Sequence, residues 1–135
     1  MRENPRIEVQ RWLDQAETDL QWTQHLFKEG GYYLVCFLAQ QVAEKALKAF
    51  IYTQGEEIVI GNSVRQLTLR VAEYDTDFKR SIEDWAILDS YYIPTRYPNG
   101  LPDDIPARVY NQDAAEKALS LAEGVVSKVE SWFDK

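Results

Sequence analysis

The residues best suited to chemistry lie in the run LDSYYIPTRYPNG, Leu88 to Gly100. A helical pattern carrying Asp89 and a tyrosine pair stops at Pro94, and Arg96, Tyr97 and Asn99 follow on a restrained loop. Arginine presents a planar fork of donors matched to phosphate or carboxylate, and tyrosine presents a flat face on which a base can stack. Asp89, Tyr92, Arg96, Tyr97 and Asn99 are therefore candidates for a small anion or nucleotide site. The same residues also admit a structural use, in which Asp89 pairs with Arg96 and the tyrosines cover the end of the fold.

Other candidates are few. The one histidine, His25, lies nine residues after Ala16, which turns it away from the apolar stripe of its helix toward solvent. The one cysteine, Cys36, falls on the apolar side of a helical pattern and reads as a small core residue. A zinc site wants four compactly spaced ligands, and a carboxylate-bridged site wants Glu-x-x-His pairs; neither pattern occurs, so no metal and no cofactor is expected. Phosphate-cradling loops and nucleophile elbows are missing as well. The formal net charge of −7 opposes binding along a long nucleic-acid backbone but leaves room for a local basic pocket.

The element that must position these groups is Tyr32 to Phe50, YYLVCFLAQQVAEKALKAF. Val35, Ala39, Val42, Ala43, Ala46, Leu47 and Phe50 follow the three-and-four spacing of one helix face, and Gln41, Glu44, Lys45 and Lys48 gather opposite. Leu34, Phe37 and Ile51 fall outside that stripe, so several neighbours or a second subunit grip this helix. Its polar face is a solvated surface or, if Glu44 and Lys45 lie beside Arg96, a wall of the site. Gln40 sits at the edge of the apolar face and needs a hydrogen-bond partner if buried.

Around it, Val9, Trp12, Leu13, Ala16, Leu20, Thr23 and Phe27 mark a helix over 6–28, closed by Gly30-Gly31. So short a link makes the first two helices antiparallel. The apolar patch Ile58-Val59-Ile60 has no partner strand and reads as a connecting loop. Ser63 with Gln66 forms a capping-box pattern for a third helix to about Tyr74, and Asp77 is placed to cap a fourth through Trp85 and Leu88 to about Tyr92. The stretch PTRYPNGLPDDIP holds four of the five prolines and is a loop. Asn111 or Asp113 caps a last helix running through Ala118, Ala122, Val125 and Val129. The expected fold is all-α: one domain over 1–135, an antiparallel up-and-down four-helix bundle with an additional short helix. With no long apolar run and a polar, charged start, a cytoplasmic protein without membrane association is expected.

Three blocks, WLDQAETDLQWTQHLFKEGGYYLVCFLAQQVAEKALKAF, GNSVRQL and LDSYYIPTRYPNG, together resemble the HEPN domain family over nearly the whole chain. The resemblance implies a helical bundle, homodimerisation, and association with nucleotide or RNA. It also implies pairing with a minimal nucleotidyltransferase as toxin and antitoxin, or else metal-independent ribonuclease activity from an Arg-x4-6-His motif. Here Leu101, Pro102 and Asp103 stand where that histidine would follow Arg96, and Asp113, Ala114 and Ala115 where it would follow Arg108. Asn62 replaces a histidine that many relatives carry before the third-helix serine. The expectation is thus a HEPN-type binding module lacking the family's general acid or base. The alternatives are a ribonuclease using an atypical group such as Asp89 or Tyr97, and a purely structural interaction protein.

Overall fold

The computed structural model describes residues 5–56 and 59–134. Helix α1 (Pro5–Glu29) stops at Gly30, whose φ of 86° is a left-handed value that a side chain would resist. The amides of Gly30 and Gly31 then bond back to the carbonyls of Phe27 (3.2 Å) and Leu26 (3.0 Å), turning the chain directly into α2 (Tyr32–Thr53). The two helices run antiparallel, and Lys45 on α2 meets Asp19 on α1 at 2.5 Å.

Helix α2 is the axis of the molecule. Val35, Ala39, Val42, Ala43, Ala46, Leu47 and Phe50 are fully buried, and so are Cys36 and Ile51, because α1, α3 and α6 all pack on it. Its alanines let those neighbours approach closely. Burial pushes the Cys36 thiol up to about 12, so it stays protonated.

Past α2 the chain is back beside Gln40 by Asn62. Ile58 lies outside the described residues. Val59 is buried, with its amide on the Tyr52 hydroxyl at 3.2 Å, while Ile60 is exposed. No strand forms among the described residues. Helix α3 (Val64–Tyr74) starts at Ser63, whose hydroxyl accepts the Gln66 amide at 3.1 Å as the capping-box pattern predicts. Its far end lies beside the C-terminal end of α2, where Arg70 and Tyr74 both bond Glu56. The buried Gln40 finds its partner at the other end: its Nε2 donates to the Asn62 carbonyl at 2.6 Å.

The expected fourth helix is broken. Asp75, not Asp77, supplies the cap, accepting the Asp77 amide at 3.0 Å. A 3-10 stretch Thr76–Ser81, the short helix α4 (Ile82–Ala86) and a second 3-10 stretch Ile87–Tyr91 follow. The cause is packing. Phe78 sits on Phe50 (5.3 Å between ring centroids) and Trp85 on Phe78 (5.9 Å), while Leu88 is fully buried; the tighter 3-10 turns carry Phe78 and Leu88 inward on either side of the α-helical turn that holds Trp85. A further short helix, α5 (Pro106–Val109), lies at the end of the expected loop, with Pro106 at its first position, where a missing amide costs nothing.

Helix α6 (Gln112–Phe133) is capped by Asn111 rather than Asp113, through the Ala114 amide at 3.1 Å. Gln24 bonds Glu123 across α1 and α6 at 2.8 Å, and Phe50 stacks on Trp132 at 4.5 Å, so α6 runs against α1 and alongside α2. The result is an all-α four-helix bundle carrying short extra helices, and the proline-rich chain closes the end where α2 begins. Among the described residues, no helix is long and apolar enough to cross a membrane.

Candidate functional site

Arg96 is held by its own loop before it meets anything else. Buried Thr95 anchors the turn by bonding its hydroxyl to the Tyr91 carbonyl, and the Arg96 amide closes a turn on Ile93 at 3.0 Å. The Arg96 Nε donates to the Tyr92 carbonyl at 2.8 Å. With that one donor fixed, the guanidinium carbon lies 4.7 Å from the Tyr92 ring centroid, 4.9 Å from Phe37 and 5.4 Å from Tyr97. These are cation–π distances, and the rings orient the group without neutralising it. Among the described residues no carboxylate pairs with Arg96. Its two terminal nitrogens are thus poised for an outside acceptor, a geometry suited to bidentate capture of a phosphate or carboxylate.

The tyrosine pair divides its labour. Tyr92 faces Arg96, whereas Tyr91 turns inward onto Tyr110 (5.9 Å), where burial raises its hydroxyl above the ordinary range and keeps it neutral. Asn99 is exposed on the turn Pro98–Gly100, three residues along the chain from Arg96, and makes no hydrogen bond to it.

Asp89 does not pair with Arg96. Its carboxylate accepts the Ser63 hydroxyl (3.0 Å) and the amides of Val64 (2.7 Å) and Arg65 (3.0 Å), so it sits over the N-terminus of α3. The first amides of that helix lack internal partners and its dipole favours negative charge there, which explains the preference. Glu44 and Lys45 also find partners elsewhere. Glu44 is buried against Lys48 at 2.9 Å, with the ammonium over the Trp12 ring at 5.4 Å, and Lys45 meets Asp19. What α2 gives the Arg96 group is Phe37, seven residues before Glu44 and on the same helix stripe. Sequence reasoning left Phe37 out of the site; its position off the core stripe was the available signal. His25 is exposed and stands edge-on to Trp22 at 5.9 Å. Among the described residues, no three His, Cys, Asp or Glu side chains cluster so as to hold a metal ion.

A family model described as the HEPN domain matches residues 9–132. The chain belongs to the HEPN family. Among solved structures it is similar to TT1696 from Thermus thermophilus, with 39% identity, a TM-score of 0.84 and 91% of this chain covering 96% of that one. It is also similar to ST0689, an archaeal HEPN homologue, with 31% identity, a TM-score of 0.74 and coverage of 92% and 96%. No curated protein matches. In this HEPN domain the positions where the Arg-x4-6-His histidine would stand hold Leu101 to Asp103, the end of the Arg96 loop, with Asp103 at a left-handed φ of 53°.

Proposed function

We propose that this chain is a HEPN-type binding module that takes the phosphate of a nucleotide or RNA at Arg96, with Tyr92, Tyr97 and Asn99 beside it. The observation that carries the reading is an exposed guanidinium set against three rings, with one nitrogen fixed and, among the described residues, no carboxylate to quench it. Residues 1–135 act as a single HEPN-like domain in the cytoplasm, working as a homodimer and as partner of a minimal nucleotidyltransferase in a toxin-antitoxin-like pair. The dimer is supported by apolar surface at Ile87, Ile93, Tyr97, Ile105 and Val109, exposed in the chain segment that surrounds Arg96. Asp89 is committed to the α3 amides and no histidine follows Arg96, which favours binding over metal-independent RNA cleavage.

Titration of ATP and short RNA against wild type and Arg96→Ala tests this. Loss of roughly a hundredfold in affinity is expected, the value of about two charge-assisted hydrogen bonds. Equal affinities would remove Arg96 from the account.

A further inference from the structure

A separate face of the molecule is built by the reversal at Asp75. Helix α3 runs into that turn, and the 3-10 stretch Thr76–Ser81 and α4 run back along it as far as the Arg65–Glu83 ion pair at 2.9 Å. Between the two limbs lies an open groove of about 770 Å³. One wall carries Gln66, Leu69 and Glu73, whose spacing of three and four keeps them on one face of α3. The other carries Thr76, Lys79 and Ile82, three apart, which 3-10 turns stack into a straight row. Ala72, only 4% exposed, lies at the bottom, and its methyl leaves room that a larger side chain would fill. Leu69, large and apolar, is 38% exposed above it.

The charges along this groove decide what it can hold. Arg70 is already engaged by Glu56, whose other oxygen accepts the Tyr74 hydroxyl at 3.1 Å. Lys79 and Glu73 are exposed, and among the described residues neither makes a hydrogen bond or an ion pair. The groove therefore offers an apolar strip with an unmatched cation on one wall and an unmatched anion on the other. A phosphate-bearing ligand would set its charge against Glu73 as well as Lys79, so a matching occupant carries both signs. From Gln66 to Glu73 the strip is about 10 Å long by helix rise. Two copies of this chain, each with a formal net charge of −7, would repel across so short a contact, whereas a partner of net positive charge is drawn in. A helix of about two turns spans the strip, laying apolar side chains along it and a charged flank against each wall.

We propose that this groove receives an amphipathic helix of a partner protein. Two of its apolar side chains, three or four residues apart, seat on Leu69, Ala72 and Ile82. A carboxylate on one flank meets Lys79, and a lysine or arginine on the other meets Glu73. The site is independent of Arg96 and of whatever binds there.

The test is selection from a phage-displayed library of helix-forming peptides of about fifteen residues, the length at which an isolated helix begins to hold. Fluorescence polarisation then measures the selected peptide against wild type, Leu69→Asp, Lys79→Glu and Arg96→Ala, each checked for folding by circular dichroism. Leu69 and Lys79 are exposed, so neither change disturbs the core. Selected peptides should carry an apolar pair at helical spacing, an acid on one flank and a base on the other. Leu69→Asp should weaken binding at least tenfold and Arg96→Ala should leave it unchanged. Lys79→Glu should cost about threefold, as a partly exposed ion pair does, and exchanging the peptide's flank acid for lysine should restore it. No enrichment, or peptides indifferent to Leu69→Asp, would overturn the groove as a docking site. Binding that needs Leu69 but ignores the Lys79 charge would overturn the charge-matched helix, and so would wild-type self-association in sedimentation that Leu69→Asp abolishes, since a second copy would then fill the groove.

Discussion

Replacing Asp89 by alanine separates stability from binding in the run that carries the candidate site. The carboxylate accepts three hydrogen bonds, two of them from the opening amides of α3. Losing a helix cap costs about 1 kcal/mol, and losing a negative charge at a helix N-terminus about 0.5–1 kcal/mol more. The Ser63 hydroxyl keeps the Gln66 amide satisfied, but the Val64 amide is left without an acceptor beside a fully buried side chain, adding about 1 kcal/mol. The expected loss is roughly 2–3 kcal/mol, which for a chain of this size lowers Tm by about 8–12 °C. Urea unfolding followed by far-UV circular dichroism measures it, with Asp89→Asn falling between alanine and wild type because one acceptor oxygen survives. Arg96→Ala, an exposed substitution, should stay within about 1 kcal/mol of wild type. A folded Asp89→Ala protein with stability within about 0.5 kcal/mol of wild type and lost nucleotide affinity would invert these roles and refute the assignment of Asp89 as a cap.

Three further changes probe the scaffold. Glu17 on α1 shares a proton with Glu130 on α6, and that hydrogen bond, then burial and neighbouring acids, raises it from 4.5 to about 7. The folded state therefore holds a proton between these values that the unfolded chain has released, and the stability this confers is full below about pH 4.5 and lost as pH rises through about 7. Glu17→Gln should match wild type near pH 4 and exceed it by about 1 kcal/mol at pH 8 after solvent screening is allowed for, with pH-resolved thermal melts as the check; no gain at pH 8 would contradict the shared proton. At the buried pair, Lys48→Met alone should cost about 3–5 kcal/mol by stranding Glu44, while Lys48→Met with Glu44→Leu recovers most of it; denaturant midpoints showing additive losses would count against a coupled pair. Cys36, buried and protonated, should resist an aromatic disulfide reagent in the native protein and react fully in denaturant, and rapid native labelling would contradict its burial.

The parts of the fold legible in the sequence are those governed by local rules. The three-and-four stripes found α1, α2 and α6; Gly30 marked the reversal; Ser63 and Asn111 act as caps because their side chains satisfy amides one turn ahead. Where long-range packing decides, local rules failed. The sequence over 77–92 carries a helical pattern, yet Phe78 answers to Phe50 on another helix and Trp85 to Phe78, and the backbone around Phe78 tightens to serve that contact. The short helix α5 was hidden by proline content, although proline is welcome at a first helical position.

The candidate site shows the same division more sharply. Arg96, Tyr92 and Tyr97 meet because they are near in sequence and a proline turn folds them together, so residue type and spacing sufficed. Asp89 is as near, but a carboxylate is drawn to whichever partners are better fixed. Two backbone amides at a helix end are rigid and cannot leave, whereas a guanidinium on an exposed loop can turn away. That choice left Arg96 without a counterion among the described residues, and its support comes from Phe37, a residue 59 positions upstream that no loop motif could have named. The aromatic floor and the free charge are thus one consequence of Asp89 capping α3. A double-mutant cycle should accordingly show no coupling between Asp89→Ala and Arg96→Ala in stability, since the two side chains share no partner, and a measurable one between Phe37→Leu and Arg96→Ala in RNA affinity, since the ring orients the group that binds.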